Sequence, residues 1–346
     1  MTEIYLIRHA EAEGNIFRRL HGQYNSLLTP RGHQQVKCLE GRFENVRIDG
    51  CFASDLTRAS LTARAIYVPK GLRLHRDKRF REVHVGAWED LPYGYLDNFE
   101  EAGMWAFNHD PLHWGCDGSE PFDVYTQRFL EGMAAAAQEF DGGTVAIFGH
   151  GAVIRGTLMR LFFMNDLEKL PYSDNTGVSR LFYHNGRFTY DYLNDNSHIP
   201  EALSTFYIQK WWREKELRKE SGLYFLPLES CCLPKELPRP ESDSRGQIQA
   251  AMLCGRPVGV VSLGRPEGDT GVILGMSLLP ELEGRYYGDQ LLGCAFSFFR
   301  KQGCKQLRAV PGRYPDDILS RYEFAGESYK RSIDAECFDW GESYAP

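Results

Sequence analysis

The sequence predicts an α/β protein whose first half is a three-layer α/β/α arrangement around a mostly parallel sheet. Two observations predict it: short apolar runs alternate with helical patterns up to about residue 200, and the runs are continuously apolar. Continuous apolar strands are typical of parallel sheets that helices cover on both faces. Beyond residue 200 the pattern changes, so we predict two domains, 1–200 and 201–346, the second of the α+β class.

The elements of the first half follow in a regular order. Residues 4–7 form a buried strand, and Thr29 with Pro30 marks the N-cap and first position of a helix that runs to about Phe43. The remaining predicted elements are a strand at 51–53, a helix at 56–67, a strand at 144–148, a helix at 152–163 and a late edge strand at 187–193.

The second half combines strands, a loop and helices. We predict an amphipathic helix over 201–220 and an exposed loop over 233–246, which contains three prolines. Two strands follow within 248–263, around the turn at Gly255, and residues 272–279 form a further strand. A helix is predicted over 288–302.

Composition limits the class of protein. The chain has 346 residues, 42% hydrophobic and 25% charged, with a net charge of −7, which is typical of a globular protein and disfavours nucleic-acid binding. No apolar run approaches the ~20 residues that cross a bilayer, and no secretory signal is visible. Nine scattered cysteines indicate reduced thiols rather than disulfides or a zinc site. We therefore predict a cytoplasmic location and no membrane partner.

Histidines and arginines follow the predicted strands. Arg8 and His9 end the first strand, His150 follows the strand at 144–148, and Arg58 begins the helix after the strand at 51–53. Ligands of open α/β sheets bind beyond the carboxyl ends of the strands. Guanidinium groups match phosphate oxygens, and imidazole can act as a covalent nucleophile. These residues therefore predict a phosphoryl site.

Residues 1–200 resemble the histidine phosphatase, or phosphoglycerate mutase-like, superfamily. The motifs that carry the resemblance occur in the family's order: LIRHAE at 6–11 with Asn15, LTPRGHQ at 28–34, ASDLTRA at 53–59, REVHVGAWE at 81–89, GHG at 149–151 and NDNSH at 194–198. The resemblance implies the family's fold and a reaction through a phosphohistidine, without a metal or other cofactor. We assign no chemical role to the other histidines, His21 among them.

The resemblance also implies a role for each site residue. His9 is the nucleophile that takes the phosphoryl group, and Arg8 and Arg58 bind its oxygens. Glu82 protonates the leaving alkoxide and then activates water. His150 donates a hydrogen bond to the transferred group, and Asn15 is a secondary contact to the phosphate or to His9.

The motifs favour a phosphatase that acts on a small phosphorylated metabolite, closest to the broad-specificity and alpha-ribazole-type members. The stretch between Glu82 and His150 is shorter than the insert of the mutases, although a phosphoglycerate-type mutase stays an alternative. A non-catalytic phospho-ligand binding or regulatory protein is the second alternative. The aromatic insert at 93–123 is expected to wall the pocket, and the oligomeric state is left open.

The second half resembles a GNAT-type N-acetyltransferase domain. Its strand order and the segment 280–292 are similar to the family's sheet and cofactor loop, with Glu283 and Tyr286 departing from the loop pattern. The resemblance implies that acetyl-CoA binds and that acetyl is transferred to an amine. It implies cofactor contacts at Arg285, Tyr287, Gly288 and Tyr322. A GNAT-like module that has lost its ligand is the alternative.

Overall fold

A computed structural model describes residues 1–166, 169–170, 172–209, 222–238, 246–312, 314–324 and 330–333 of the chain. Two six-stranded sheets organise these residues, one in each half. Among the helices of the described ranges, none is both long and apolar enough to cross a bilayer.

The first sheet is mostly parallel, which confirms the predicted fold class of this half. Its strands are β1 (Thr2–Arg8), β2 (Gly50–Ala53), β3 (Leu74–Arg76), β4 (Thr144–Gly149), β5 (Val178–His184) and β6 (Arg187–Asp195). The order is β3-β2-β4-β1-β5-β6, and only β5 and β6 run antiparallel to their neighbours. The carboxyl ends of β1, β2 and β4 therefore meet at one edge.

Helices cover both faces of this sheet. They are α1 (Glu13–Ile16), α2 (Pro30–Phe43), α3 (Thr57–Tyr67), α4 (Tyr93–Phe99), α5 (Glu101–His109), α6 (Phe122–Glu139) and α7 (Gly151–Phe162). Ile4 and Leu6 of β1 pack in one core with α6 and α7, whereas Tyr5 and Ile7 pack in another with α2 and α3. Successive strand residues point to opposite faces, so one short apolar strand serves both cores.

The start of α2 confirms the prediction from Thr29 and Pro30. The Thr29 hydroxyl accepts a hydrogen bond from the backbone N–H of Gly32 at 3.0 Å, and Pro30 occupies the first helical position. A proline loses nothing there, because the first N–H groups of a helix have no partner within it. The other elements predicted before residue 200 lie close to their predicted bounds, whereas β3, β5 and α6 were not predicted.

The second sheet is antiparallel except for one pair. Its strands are β7 (Tyr224–Pro227), β8 (Gln247–Leu253), β9 (Arg256–Leu263), β10 (Thr270–Leu278), β11 (Gln306–Ala309) and β12 (Lys330–Ser332), in the order β12-β11-β10-β9-β8-β7. β10 and β11 are parallel, and the crossover between them contains the helix α9 (Tyr287–Lys301). This helix buries Leu291, Phe296 and Phe299 in the second core.

The predicted helix over 201–220 is wrong over its described part. Residues there form a single 3-10 turn (Glu201–Leu203) and the short helix α8 (Thr205–Ile208). The Thr205 hydroxyl donates to Glu11 at 2.8 Å, and the Gln209 amide donates to the Asn15 carbonyl at 3.1 Å. These bonds to the first half hold the segment in place instead of a regular helix. Residues 210–221, and 239–245 of the predicted loop, lie outside the described residues.

Candidate active site

His9 and His150 meet at the carboxyl edge of the first sheet. Arg8, which precedes His9, is aligned with Gly149 in the parallel β1–β4 pair, and His150 is the N-cap of α7. The two imidazole rings lie 5.1 Å apart, centroid to centroid. The neighbouring strands thus bring the two predicted histidines into contact although 140 residues separate them in the sequence.

The hydrogen bonding of His9 determines its tautomer. Its Nδ1 lies 2.7 Å from the carbonyl oxygen of Ala10, which can only accept, so Nδ1 carries the proton. Nε2 then holds the lone pair. Burial lowers the pKa of His9 well below its usual value, and the charges of Arg58 and Arg8 lower it further. The ring is therefore neutral and has the electron pair that a nucleophile needs.

Two guanidinium groups, the buried Arg58 and the half-buried Arg8, flank the histidine pair. Arg58, at the start of α3, donates to the carbonyl of Tyr24 at 2.9 Å and to that of Gly22 at 2.8 Å. Burial lowers its pKa to about 10. Arg8 donates to the carbonyl of Ser173 and lines the cavity directly. Both groups stay cationic at neutral pH and create a positive field suited to a phosphate dianion.

His150 is fully buried. Among the described residues, neither of its ring nitrogens has a hydrogen-bond partner. Burial lowers the pKa of His150 well below its usual value, and Arg58 and His9 contribute to the shift. A neutral imidazole keeps one N–H donor, and a buried donor without an acceptor is costly. The position beside His9 therefore favours an incoming acceptor such as a phosphoryl oxygen.

The side chain of Glu82 reaches the first turn of α7. One of its carboxylate oxygens accepts from the backbone N–H of Ala152 at 3.0 Å, and the other accepts from Val153 at 2.7 Å and Val83 at 3.0 Å. The helix dipole stabilises a carboxylate at this end. Glu82 also lines the cavity with Arg8 and His9, so the structure brings the predicted acid–base residue to the histidine pair.

Asn15 lines the cavity next to His9. Its side-chain oxygen accepts from the backbone N–H of Ala12 at 2.9 Å. Asn175 donates to the His9 carbonyl at 3.0 Å and lies 3.5 Å from the Asn15 oxygen. Asn15 thus supports the loop that follows His9.

His21 is a cavity residue that the sequence analysis missed. Its ring centroid lies 6.2 Å from that of His9, and its Nε2 accepts from the backbone N–H of Gly14 at 2.9 Å. Burial lowers the pKa of His21 well below its usual value. His21 stands in an irregular loop without a periodic pattern, so no signal in one sequence distinguishes it from a surface histidine.

The cavity has a volume of about 160 Å³ and lies between the sheet edge and the aromatic insert. Tyr93, Phe107 and Trp114 line it, as expected of the insert at 93–123. Trp105 is exposed and stacks on His109 instead. Arg155 of α7 also lines the cavity and lies 4.0 Å from the Tyr172 ring centroid. Within the described ranges, no three His, Cys, Asp or Glu residues are grouped as metal ligands.

The candidate residues of the second half gather around the start of α9. Arg285 is exposed, whereas Tyr287 and Gly288 are buried. The Tyr322 hydroxyl donates to the carboxylate of Asp289 at 2.8 Å. Burial raises the pKa of Tyr322 well above its usual value, and Asp289 raises it further.

A mostly parallel sheet with two histidines and two arginines at its carboxyl edge defines an α/β protein whose site is suited to a phosphoryl group. Comparison with known families gives the particular one: residues 4–196 match the model of the histidine phosphatase superfamily, branch 1. The chain belongs to that superfamily, as the motifs in the sequence predict.

Known proteins similar to the chain are named as mutases and phosphatases. A probable phosphoglycerate mutase, GpmB, of Serratia proteamaculans is 38% identical over 154 residues, which are 44% of this chain and 72% of the relative. The solved structure of YhfR from Bacillus stearothermophilus is 29% identical, with a TM-score of 0.55 over 58% of this chain and all of that one. Family and relatives together support phosphatase or mutase activity.

A further solved structure supports the fold alone. A mycobacterial glucosyl-3-phosphoglycerate phosphatase is 23% identical, with a TM-score of 0.52 over 56% of this chain and 99% of its own. The family match ends at residue 196, so the GNAT-like assignment of the second half stays a prediction.

Proposed function

We propose that the chain hydrolyses phosphomonoesters of small metabolites through a phosphohistidine on His9. The observation that carries the proposal is the neutral His9, whose Nδ1 proton is bound by the Ala10 carbonyl while Arg8 and Arg58 lie beside the ring. This arrangement supports both functions of the site, an available lone pair at Nε2 and a field that stabilises the transferred phosphoryl group.

The reaction has two steps. In the first, His9 Nε2 attacks phosphorus, the ester P–O bond breaks, and Glu82 gives a proton to the leaving alkoxide. In the second, Glu82 takes a proton from water, the water oxygen attacks phosphorus, and the N–P bond breaks to release inorganic phosphate. Arg8, Arg58 and His150 contact the phosphoryl oxygens in both steps. The reaction needs no metal or other cofactor.

Phosphate release from p-nitrophenyl phosphate and from alkyl phosphates tests the proposal. We expect turnover by the wild type and an acid-labile phosphoenzyme trapped by rapid quenching. His9→Ala removes the nucleophile and is expected to abolish both. Turnover by His9→Ala at the wild-type rate would overturn the phosphohistidine step. If the wild type binds inorganic phosphate without releasing it from any ester, the non-catalytic binding alternative is correct.

The alcohol part of the substrate is expected to contact the aromatic wall. Tyr93, Phe107 and Trp114 offer rings, and Arg155 offers a cation on the same cavity. A metabolite with an apolar or ring portion fits such a wall. The resemblance of the motifs to broad-specificity and alpha-ribazole-type phosphatases supports the same choice, and a screen over sugar, nucleotide and aryl phosphates tests it.

A phosphoglycerate-type mutase is the second candidate, because the Serratia relative is named as a probable mutase. A mutase retains its phosphoenzyme and returns the phosphoryl group to an alcohol. Product isomerisation measured by a coupled assay, against free phosphate in the same reaction, separates the two activities. Isomerisation faster than phosphate release would favour the mutase.

For the second half we propose a GNAT-like domain that binds acetyl-CoA. The parallel β10–β11 pair with α9 in its crossover supports the assignment. Asp289 in the first turn of α9 pairs with Arg321 at 3.2 Å and accepts from Tyr322, so its charge is compensated and does not oppose an anion. Residues Arg285, Tyr287 and Gly288 would hold the cofactor's pyrophosphate.

Bound acetyl-CoA would supply an acetyl thioester for transfer to an amine. Tyr322 keeps its proton because its pKa is raised. Calorimetric titration with acetyl-CoA, with Arg285→Glu as the comparison, tests binding without any assay of transfer. We expect heat with the wild type and weaker binding by the variant. If acetyl-CoA at millimolar concentration produces neither heat nor thermal stabilisation, the second half does not bind it and is a structural module.

The location of the chain is also part of the proposal. The eight cysteines of the described residues are all free thiols, which favours a reducing compartment such as the cytoplasm.

A further inference from the structure

A buried polar cluster, made of an ion pair and a serine, joins the two halves of the molecule beside the cavity. Arg19 Nε lies 2.6 Å from a carboxylate oxygen of Asp90, and both residues belong to the first half. Ser297 of α9 joins them: its hydroxyl donates to the other Asp90 oxygen at 2.6 Å and accepts from Arg19 at 2.8 Å. All three side chains are less than a tenth exposed. One hydroxyl from the second half thus completes a polar cluster of the first.

Arg19 and Asp90 stand on two segments that together form one wall of the cavity. The backbone N–H of Asp90 donates to the Leu20 carbonyl at 3.0 Å, and that of Leu20 donates to Leu91 at 2.9 Å. The next bond, from Tyr93 to Arg18, is 2.8 Å long. Residues 18–22 and 90–93 are therefore held together as a unit, which we call the cavity wall. Its members Arg19, Leu20, His21, Gly22 and Tyr93 line the cavity.

α9 also contacts the chain on either side of residues 18–22. Phe17 lies against Phe296 with ring centroids 5.1 Å apart. A Cβ at Gly293 would lie only 2.5 Å from the Phe17 Cβ, so the helix approaches this segment closely. Arg300 donates to the Asn25 carbonyl at 3.1 Å. The position of residues 18–22 is therefore defined from the second half.

The backbone of the nucleophile is held separately from this wall, although the ring of His21 lies 6.2 Å from that of His9, centroid to centroid. His9 follows β1, and its backbone N–H donates to the Gly149 carbonyl at 2.9 Å within the first sheet. A shift of the cavity wall is therefore expected to change the fit of the substrate more than the position of His9, and to reach Arg58 only through its bond to the Gly22 carbonyl. Removal of the Ser297 hydroxyl would leave the buried charges of Arg19 and Asp90 each one partner short, which favours such a shift.

We propose that Ser297 is a positioning residue for the phosphatase site: through Arg19 and Asp90, the second half fixes the cavity wall against which the substrate binds. The inference rests on the proposed phosphatase function. It assigns to the second half a part in substrate binding that does not depend on acetyl transfer.

Steady-state kinetics of the full chain with p-nitrophenyl phosphate test this proposal. We expect Ser297→Ala to raise KM about five- to tenfold, less than the full loss of a hydrogen bond to a charged group because the substrate itself loses no bond, and to lower kcat by a smaller factor. A merely structural role would reduce the folded fraction, and this lowers the maximal rate without changing KM. Ser297→Thr keeps the hydroxyl and is expected to restore KM.

Ser262→Ala is the matched control, because Ser262 is a buried serine of β9 outside the cavity lining. It is expected to leave KM at the wild-type value. An unchanged KM in Ser297→Ala, or an equal rise in Ser262→Ala, would overturn the proposal.

A binding measurement separates this proposal from the proposed function. The Kd of phenyl phosphate, measured by calorimetry in a His9→Ala background with and without Ser297→Ala, requires no turnover. Weaker binding with the second substitution supports the positioning role, whether or not the wild type releases phosphate. A wild type that releases no phosphate would contradict the proposed phosphatase activity but not the positioning role. Equal Kd values would overturn the positioning role and leave the phosphatase standing if turnover is seen.

Discussion

The single carbonyl of Ala10 fixes the proton of the nucleophile. Because it binds Nδ1–H of His9, the opposite nitrogen keeps its lone pair without the help of a separate general base. The neighbouring arginines oppose protonation of the ring, so the same cations that suit a phosphate also keep the nucleophile neutral. Attraction for the substrate and activation of the histidine therefore have one electrostatic cause.

Three buried histidines of the site lead to a prediction for how the free energy of unfolding depends on pH. Burial lowers the pKa values of His9, His21 and His150 in the folded chain. Below the unfolded value of about 6.5 the unfolded chain therefore binds more protons, and the free energy of unfolding falls as the pH falls. We expect a loss of about 1 kcal/mol per histidine between pH 7.5 and 5.5. Urea unfolding at the two values measures it.

Substitution of one histidine provides the control for this prediction. His150→Gln removes one of the three titrating groups and is expected to reduce the pH dependence. His184→Gln changes an exposed histidine and is expected to leave it as in the wild type. Equal pH dependence in wild type and His150→Gln would contradict the assignment of the effect to the buried histidines.

Glu82 is expected to matter most for esters whose alcohol leaves poorly. General acid catalysis contributes about 10²- to 10⁴-fold, and an activated aryl phosphate needs little of it. Glu82→Gln should therefore slow alkyl phosphates at least tenfold more than p-nitrophenyl phosphate. Glu120→Gln, which alters a nearby ion pair with Arg128 outside the cavity lining, is expected to affect both substrates equally. Equal slowing by Glu82→Gln would remove its role as the acid.

At the scale of the element, the N-cap of α2 is connected to the first strand–helix loop. The Thr29 hydroxyl accepts from Gly32 N–H and donates to the Glu11 carboxylate at 2.6 Å. Glu11 also binds Arg31 at 3.0 Å and the Thr205 hydroxyl. One cap therefore connects α2, the loop after β1 and the segment that leads to the second half.

Thr29→Ala is expected to lower the free energy of unfolding by about 1–3 kcal/mol, because it removes a helix cap and a hydrogen bond to a buried carboxylate. Thr29→Ser keeps the hydroxyl and should lose less than half of that. Urea denaturation followed by circular dichroism measures both. A loss as large in Thr29→Ser as in Thr29→Ala would assign the effect to the methyl group.

Elements with strong local signals could be predicted from the sequence. The capping pair Thr29–Pro30 and the apolar run at 144–148 are such signals, and they placed α2 and β4. The predicted helix over 201–220 is wrong at its described residues, 201–209, because helical spacing there competes with side-chain bonds to distant residues, such as Thr205 to Glu11. The half-buried β5 has a weaker pattern than a fully buried strand and was not recognised.

The predicted site followed from the order of strands. Parallel neighbours place Arg8, His9 and His150 together, which strand ends and motifs already indicated. His21, Arg155 and Ser297 could not be predicted, because they reach their places through loop paths and packing between the halves. Such contacts depend on tertiary structure and leave no periodic trace in the sequence.

At the scale of the whole molecule, two helical glycines are expected to respond in opposite directions to the same substitution. A Cβ at Gly293 would clash with Phe17 at 2.5 Å, close to that residue's backbone, so Gly293→Ala is expected to destabilise the chain by about 1–3 kcal/mol. Gly41 of α2 has nothing within 4 Å, so Gly41→Ala is expected to stabilise it by about 0.5–1 kcal/mol. Thermal and urea unfolding measure both.

A stabilising Gly293→Ala would contradict the close packing of α9 on the first half. In the same variant we expect KM for p-nitrophenyl phosphate to rise, because α9 carries Ser297. Gly41→Ala is expected to leave KM unchanged.

Ile16 and Phe17 belong by sequence to the first half and by packing to the core of the second. A chain cut after residue 200 would expose both side chains to water and leave an apolar patch next to the cavity. The isolated first half is therefore expected to aggregate during purification. Any kinetic constants obtained from it would describe a cavity that lacks the contacts with α9. Dissection of this enzyme is better done by point substitution than by truncation.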